Sequence, residues 1–555
     1  MKKIITMILS AFMLVGCSSS TSSTTEQGMK AGTYEGTGAG FHGDIKVSVT
    51  VDSTSITSIE VTEESETETI GHAALPTLVE EATTNQTYEP DTVSGASVTS
   101  QGFSDAVKDA LTKAGADLTL FEAKKAASSE QETVEETYDV AVVGAGGAGL
   151  SAALTALQQG KTVVLFEKTG LVGGASAMAG AGTVATGSKM EKETGMEDSP
   201  ESLKTDMLAN GHNKNDEGTL DIFVNTVGEA VDWLTDENGG NIEYEKEDEP
   251  TRTFSAVGRG AAVTSKLSEE FTDQGGVLYV NTSATELIVD DGKVTGVKAE
   301  SSNANYVIHA SSVILATGGF GNNDEMVPDE YKKFVYAGHT GATGDGIKMA
   351  EAVDADTINM DLVNVQPNSM ILPSGLGQYT NPGVGSAYRT SGAFLINQDA
   401  VRFANETGSS YDLKNAQAEN ERQYLICDQA SFDAFNKGME NSKIYSEDDV
   451  NTWLENNGSS NPVFVKADTI EDLANILSLD SETLKNTVET YNASVGTTDE
   501  FGRDISLAIS TDGPFYAIQL YNRYYATLGG LHINSDMHVL NTNQEPVEGL
   551  LQQEK

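Results

Sequence analysis

Residues 138–167 read YDVAVVGAGGAGLSAALTALQQGKTVVLFE, and this stretch decides the fold. Val140, Ala141, Val142 and Val143 form a short apolar run suited to a strand buried on both faces. Gly144, Gly146 and Gly149 follow at once in G-x-G-x-x-G spacing, 150–159 has helical composition, and 162–166 is the next strand. In that setting Gly144 allows the tight turn, Gly146 lets backbone approach a pyrophosphate, and Gly149 lets the helix pack closely on the strand. The free N–H groups of the helix N-terminus face the phosphates. Glu167 ends the second strand at the offset of about 20 residues where an acid takes a ribose hydroxyl. The stretch therefore predicts a dinucleotide-binding α/β domain.

The chain has 555 residues, enough for roughly two to four domains with ample cores. Its net charge of −49 disfavours nucleic acid and anionic lipid headgroups as partners and fits a solvated acidic surface. Its two cysteines make no C-x-x-C-H motif and no cluster for iron–sulfur or zinc, so flavins must carry any redox chemistry. Cys427, in YLIC at 424–427, reads as a small buried hydrophobe in a strand.

Residues 1–17, MKKIITMILSAFMLVGC, carry Lys2 and Lys3, an apolar run from Ile4 to Val15, and Gly16 before Cys17. The run is shorter than the ~20 residues a spanning helix needs, which predicts an export signal. Leu14-Val15-Gly16-Cys17 resembles the bacterial lipoprotein box. That resemblance implies acylation at Cys17 and an extracytoplasmic protein held to the cell membrane by its lipid alone.

The Ser/Thr-rich 18–30 reads as a flexible stalk. From 31 to 115, glycine turns alternate with β-branched runs such as IKVSVTV at 45–51, and helical stretches follow at 75–83 and 101–114. Between these helices stands Asp91-Thr92-Val93-Ser94-Gly95-Ala96-Ser97, which residue chemistry alone reads as a turn and helix cap. It resembles the attachment motif of the covalent FMN-binding domain family. The resemblance implies FMN phosphate joined to the Ser97 hydroxyl by a flavin transferase, with Asp91 and Gly95 as fixed motif positions and Thr99 as the fallback. A charged, Ala-rich linker at 116–136 leads to the dinucleotide-binding domain at 137–359.

Past Glu167, Gly173, Gly174, Ser176, Gly180 and Gly182 belong to a run of small residues suited to backbone lying against a flat ring or a phosphate. An amphipathic helix at 218–236, short strands within 277–299, and a buried strand at 313–316 ending in Thr317 and Gly318 continue the domain. GATGDG at 341–346, which includes Asp345, opens a helix at Ile347, a second place where N–H groups can meet a phosphate or flavin edge.

The glycine fingerprint with Glu167, GGASAMAGAG at 173–182, ATGGFG at 316–321 and GATGDG together resemble the flavoprotein family of fumarate reductases and succinate dehydrogenases. Pairing with an FMN-binding domain is similar to its branch of secreted fumarate, urocanate and other enoate reductases. The resemblance implies a Rossmann-like domain holding non-covalent FAD, interrupted by an α+β clamp domain at 360–521 and resumed at 522–555, with the small α+β FMN-binding domain before it. It implies electrons entering from an external donor at FMN, passing to FAD, and leaving as a hydride to the C=C of an unsaturated acid, while a positioned acid supplies the proton. Anaerobic respiration is the expected setting.

Where the family has substrate histidines, this chain has Gln366 in VQPN at 365–368 and Tyr525 in YATLGG at 525–530. The family's acid arginine corresponds to Tyr411, before Asp412, and Arg389 survives from the proton relay while its glutamate does not. Too few cations remain for a second carboxylate, so fumarate is disfavoured. Tyr388, Tyr411, Tyr525 and Gln366 describe an aromatic pocket for a monocarboxylate, aryl enoate or enone. A phenol's reference pKa of ~10 makes Tyr411, with Arg389 behind it, the candidate acid. Two other readings stand beside this one: an enone or 3-ketosteroid-type reductase or dehydrogenase, and an FMN electron carrier whose FAD portion does not function. The last follows from PVEGLLQQEK at 546–555, where the family continues into a glycine-rich segment. Without that segment, 313–316 is expected to expose apolar surface and FAD binding to be weak.

Overall fold

The computed structural model describes residues 29–552 except 41–42, 67–70, 91–95, 123–131, 181, 248, 374, 442–444 and 446. Cys17, Asp91 and Gly95 lie outside the described residues, as do the side chains of Ala73 and Ser97.

Strands Gly32–Ala39, Asp44–Val51 and Ile56–Glu63 form an antiparallel meander. Strict alternation buries Ile45, Val47, Val49 and Val51 on one face, and helices Gly71–Asn85 and Ser97–Lys113 pack over it. The second helix lies almost on the first strand: a Cβ at Gly36 would meet the Ala106 carbonyl oxygen at 1.9 Å. Leu171, two residues before Gly173, packs against this core, so the N-terminal unit abuts the dinucleotide-binding loops.

The central sheet runs His538–Leu540, Pro546–Gln552, Ala304–Leu315, Glu132–Val143, Val163–Phe166, Val277–Tyr279. All but the first of these strands are parallel, and Lys293–Glu300 and Ser283–Asp290 extend an antiparallel flap from Ala304–Leu315. The strand beginning at Glu132 takes the last five residues of the predicted linker into the sheet, because Ala304 to Leu315 offers it a matching edge of equal length. The expected apolar exposure at 313–316 is corrected. Val313 and Leu315 are buried, because Pro546–Gln552 pairs alongside them, Val313 with Leu550 and Leu315 with Gln552.

The clamp is built on the sheet Phe394–Asn397, Gln423–Asp428, Phe515–Gln519, Phe464–Ala467. Helices Asn381–Thr390 and Gln429–Asn441 pack on one face, Ile470–Leu477 and Ser481–Ala493 on the other. Cys427 is fully buried there, as its apolar strand predicts, and burial pushes its thiol up. Tyr388, expected in the pocket, belongs instead to this core, packed over the Arg503 guanidinium at 5.1 Å. Both crossings between clamp and FAD domain run through one sheet: strand Val363–Ile371 pairs antiparallel with Tyr521–Thr527. The substrate-side residues therefore sit at the seam between the two domains.

Candidate active site

The glycine turn is assembled by close backbone approach. Gly144 has φ +100, and a Cβ there would meet the Ala316 carbonyl at 2.4 Å. A Cβ on Gly149 would sit 1.8 Å from the Gly144 oxygen, so only glycine lets helix Gly147–Gln158 start against the turn. Gly173 zips to the same turn by donating its N–H to the Ala145 carbonyl at 2.7 Å. The Gly147 N–H reaches Ser176 Oγ at 3.2 Å. Gly146, by contrast, has no atom nearer to a built Cβ than 3.8 Å, leaving its backbone open to a ligand.

Glu167 is buried, accepting from the Ala145 N–H at 2.9 Å and from the N–H and hydroxyl of Thr169 at 2.9 and 2.8 Å. These bonds fix the carboxylate at the cavity wall without using all its lone pairs. Lys168, which no sequence motif marks, donates to Asp345 Oδ2 at 2.6 Å and to Thr343 Oγ1 at 2.7 Å. Burial opposes ionisation of Asp345, but the Lys168 ammonium and the Thr343 hydroxyl hold its carboxyl below the usual aspartate range.

These groups line one cavity of about 390 Å³, with Gly144, Gly146, Gly174, Ser176, Glu167, Lys168, Thr317, Gly318 and Asp345 on its walls. His339, Tyr525, Thr527 and Leu528 line it too. Gly149 and Gly173 support the turn from behind. Gly180 lines an adjoining 160 Å³ pocket beside Arg259, and Gly182 lies against Thr253 and Phe254, away from the main cavity. The open backbone at Gly146, the turn that no Cβ could enter, and the cavity they line fit a bound dinucleotide.

At the far end Tyr525 stands at a β-bulge, unopposed between the pairs Val365 with Tyr524 and Asn364 with Ala526. Bulges re-aim side chains beside active sites. Gln366 Nε2 donates to Asn364 Oδ1 at 3.0 Å, which turns the Asn364 amide so that its Nδ2 donates to the Tyr525 oxygen at 3.1 Å. The phenol oxygen is thus an acceptor within the protein, and its own proton remains available to a ligand. Arg523, two residues earlier, is 6% exposed and donates to the Pro367 and Asn368 carbonyls at 2.8 and 3.3 Å. Strand alternation was the signal that could have found it, since Arg523 and Tyr525 share a face.

Gln366 and Tyr525 are therefore brought together, whereas Tyr411 and Arg389 are not. Tyr411, 45% exposed on helix Ser410–Ala418, packs its ring 4.0 Å from that of His212 and lies under Lys414. Arg389 is exposed at the end of its helix, lying along Gly385, and among the described residues no contact joins it to Tyr411. Thr99, the fallback attachment residue, is buried and gives its hydroxyl to Glu66.

Residues 139–551 match the FAD binding domain family and 40–112 the FMN-binding domain family. The chain is 31% identical to a urocanate reductase of Eggerthella lenta, over 97% of this chain and 90% of that protein. It is also 31% identical to an NADH:fumarate oxidoreductase of Klebsiella pneumoniae, over 84% of this chain but only 49% of that longer protein. Among solved structures it resembles the open conformation of a flavocytochrome c3 fumarate reductase, with TM-score 0.61, 28% identity, and 75% and 72% of the two chains covered.

Proposed function

The chain belongs to the FAD binding domain family, and we propose that it reduces the C=C bond of an α,β-unsaturated monocarboxylate. The observation that carries this reading is the single cavity with the pyrophosphate turn at Gly144 and Gly146 in one wall and Tyr525 and Leu528 in another. When bound, FAD supplies the hydride there, with FMN on the N-terminal domain as the entry point for electrons from an external donor. The protein's part begins with Gly318, whose positive φ and open surroundings bring backbone to the cavity, and with Lys168 and Asp345, which close its rim. Tyr525 is the proton donor: its oxygen accepts from Asn364, itself fixed by Gln366, so neither of these bonds uses its hydroxyl proton. A relative named a urocanate reductase, spanned nearly end to end, supports an unsaturated acid as the substrate.

The N-terminal domain takes its FMN through Ser97, matured by a flavin transferase, a reading supported by the Asp91 to Ser97 motif. The charged start and apolar run before Cys17 support export and lipid tethering outside the cytoplasmic membrane. The test is flavin content after co-expression with a flavin transferase, followed by reoxidation of the reduced protein with unsaturated acids. Near-stoichiometric FAD and covalent FMN, with reoxidation that depends on the acid, support the assignment. FMN without FAD would leave an electron carrier.

A further inference from the structure

Among the described residues, the buried guanidinium groups of Arg402 and Arg503 pair with carboxylates, and that of Arg523 does not. Arg402 reaches Glu406 and Asp499 at 2.7 and 2.5 Å, and Arg503 reaches Glu406 at 3.0 Å. Arg523 is as deeply buried, yet among the described residues it has no carboxylate within ion-pairing distance and donates only to two main-chain carbonyls. Burying a guanidinium without a counter-charge is costly, so an anionic ligand that reached Arg523 would relieve a penalty its two carbonyls and two rings offset only in part.

Its surroundings say what kind of ligand. The guanidinium carbon lies 4.6 Å from the Tyr379 ring centroid and 5.8 Å from that of Tyr525. Tyr379 and Tyr525 are 41% and 40% exposed, so the buried guanidinium is covered by two accessible aromatic residues, beside the cavity that Tyr525 lines. Leu528, at 57%, adds an apolar side to the same cavity that Tyr525 lines. Gln366 pairs with Arg523 across the strands, which places the cation next to the amide that orients the Tyr525 phenol. Accessible apolar rings around a buried charge suit a planar, apolar body with one anionic end.

We propose that Arg523 is the specificity-determining cation of the active site, pairing with the carboxylate of a planar aryl monocarboxylate whose ring lies against Tyr379, Tyr525 and Leu528. This rests on the reductase reading for its substrate class, but it is a statement about binding and is tested as one. Charge-assisted, forked hydrogen bonding to a carboxylate makes a neutral isostere about 30-fold weaker as a ligand.

The test is calorimetric titration of the FAD-loaded protein with cinnamate and with cinnamamide. Wild type is expected to bind cinnamate about 30-fold more tightly than the amide. Arg523→Gln is expected to bring cinnamate down to the level of the amide, and Arg523→Lys to keep an intermediate preference for the acid. FAD content of each variant reports folding. If Arg523→Gln loses FAD, the acid-to-amide ratios of wild type and Arg523→Lys decide. Equal affinities in wild type, no binding of cinnamate, or unchanged cinnamate affinity in a FAD-replete Arg523→Gln would overturn the proposal. Tight, Arg523-dependent cinnamate binding with no reoxidation of reduced protein would uphold the site and sink the reductase reading. Reoxidation by acid and amide alike, with equal affinities, would do the reverse.

Discussion

Lys168 Nζ lies 2.6 Å from Asp345 Oδ2, tying the second residue past strand Val163–Phe166 to the first turn of helix Asp345–Glu351. The two are 177 positions apart, and the contact closes the rim of the cavity between them. It joins the two glycine-bearing halves of the dinucleotide site.

Because both partners are part exposed, the pair is worth only about 0.5–1 kcal/mol. Lys168→Met and Asp345→Asn are each expected to weaken FAD binding about threefold, and the double variant no further. Asp345 is held below the usual aspartate range, so its contribution is fully present above the ordinary value of 3.8 and is lost as pH falls through the lower folded value. Thermal stability of the holoprotein, measured from pH 6 downward, should show wild type keeping this increment to lower pH than Lys168→Met.

Gly149→Ala places a methyl 1.8 Å from the Gly144 oxygen. Overpacking of this kind costs about 1–3 kcal/mol and here forces the helix N-terminus off the turn. The purified variant is expected to retain less than about a tenth of its FAD, measured as flavin released on denaturation.

Tyr525 lines the cavity while Tyr411 packs on His212 outside it. General-acid catalysis is worth about 10²- to 10⁴-fold, so Tyr525→Phe should lower kcat at least 100-fold with little change in KM. Tyr411→Phe should change kcat less than about threefold. The opposite ranking, read from steady-state kinetics, would return the acid role to Tyr411.

Thr99 is buried and donates its hydroxyl to Glu66, so Ser97 is the residue expected to carry FMN. Ser97→Ala should abolish covalent FMN, seen as loss of in-gel flavin fluorescence, and Thr99→Ala should keep it. Fluorescence persisting in Ser97→Ala would move the attachment elsewhere.

The parts legible in the sequence were those written in local spacing. The glycine turn, Glu167, and the strands on either side depend on contiguous residues, and the fold places them as that spacing requires. The alternation of Ile45, Val47, Val49 and Val51 reads directly as one buried face. Lys168 with Asp345 was not legible, because a contact across 177 positions has no local signature. Arg523 could have been placed on the Tyr525 face from strand alternation, but that no carboxylate among the described residues pairs with it is visible only in the packed structure. Tyr388 reads as a pocket phenol in sequence, but its helix turns it into the clamp core. The apolar run at 313–316 was expected to be bare for want of the family's glycine-rich segment, whereas Pro546–Gln552, more than 200 positions away in sequence, pairs alongside it.

The central claim, hydride delivery to an unsaturated monocarboxylate, is tested most directly by anaerobic stopped-flow reoxidation of the dithionite-reduced, FAD- and FMN-replete protein. Cinnamate, urocanate and fumarate are offered in turn. The account predicts rapid, saturable reoxidation by at least one monocarboxylate, with one equivalent of saturated acid formed per two-electron-reduced flavin and fumarate slower by about 100-fold or more. Flavin that stays reduced with both monocarboxylates, or fumarate as the fastest oxidant, would contradict it.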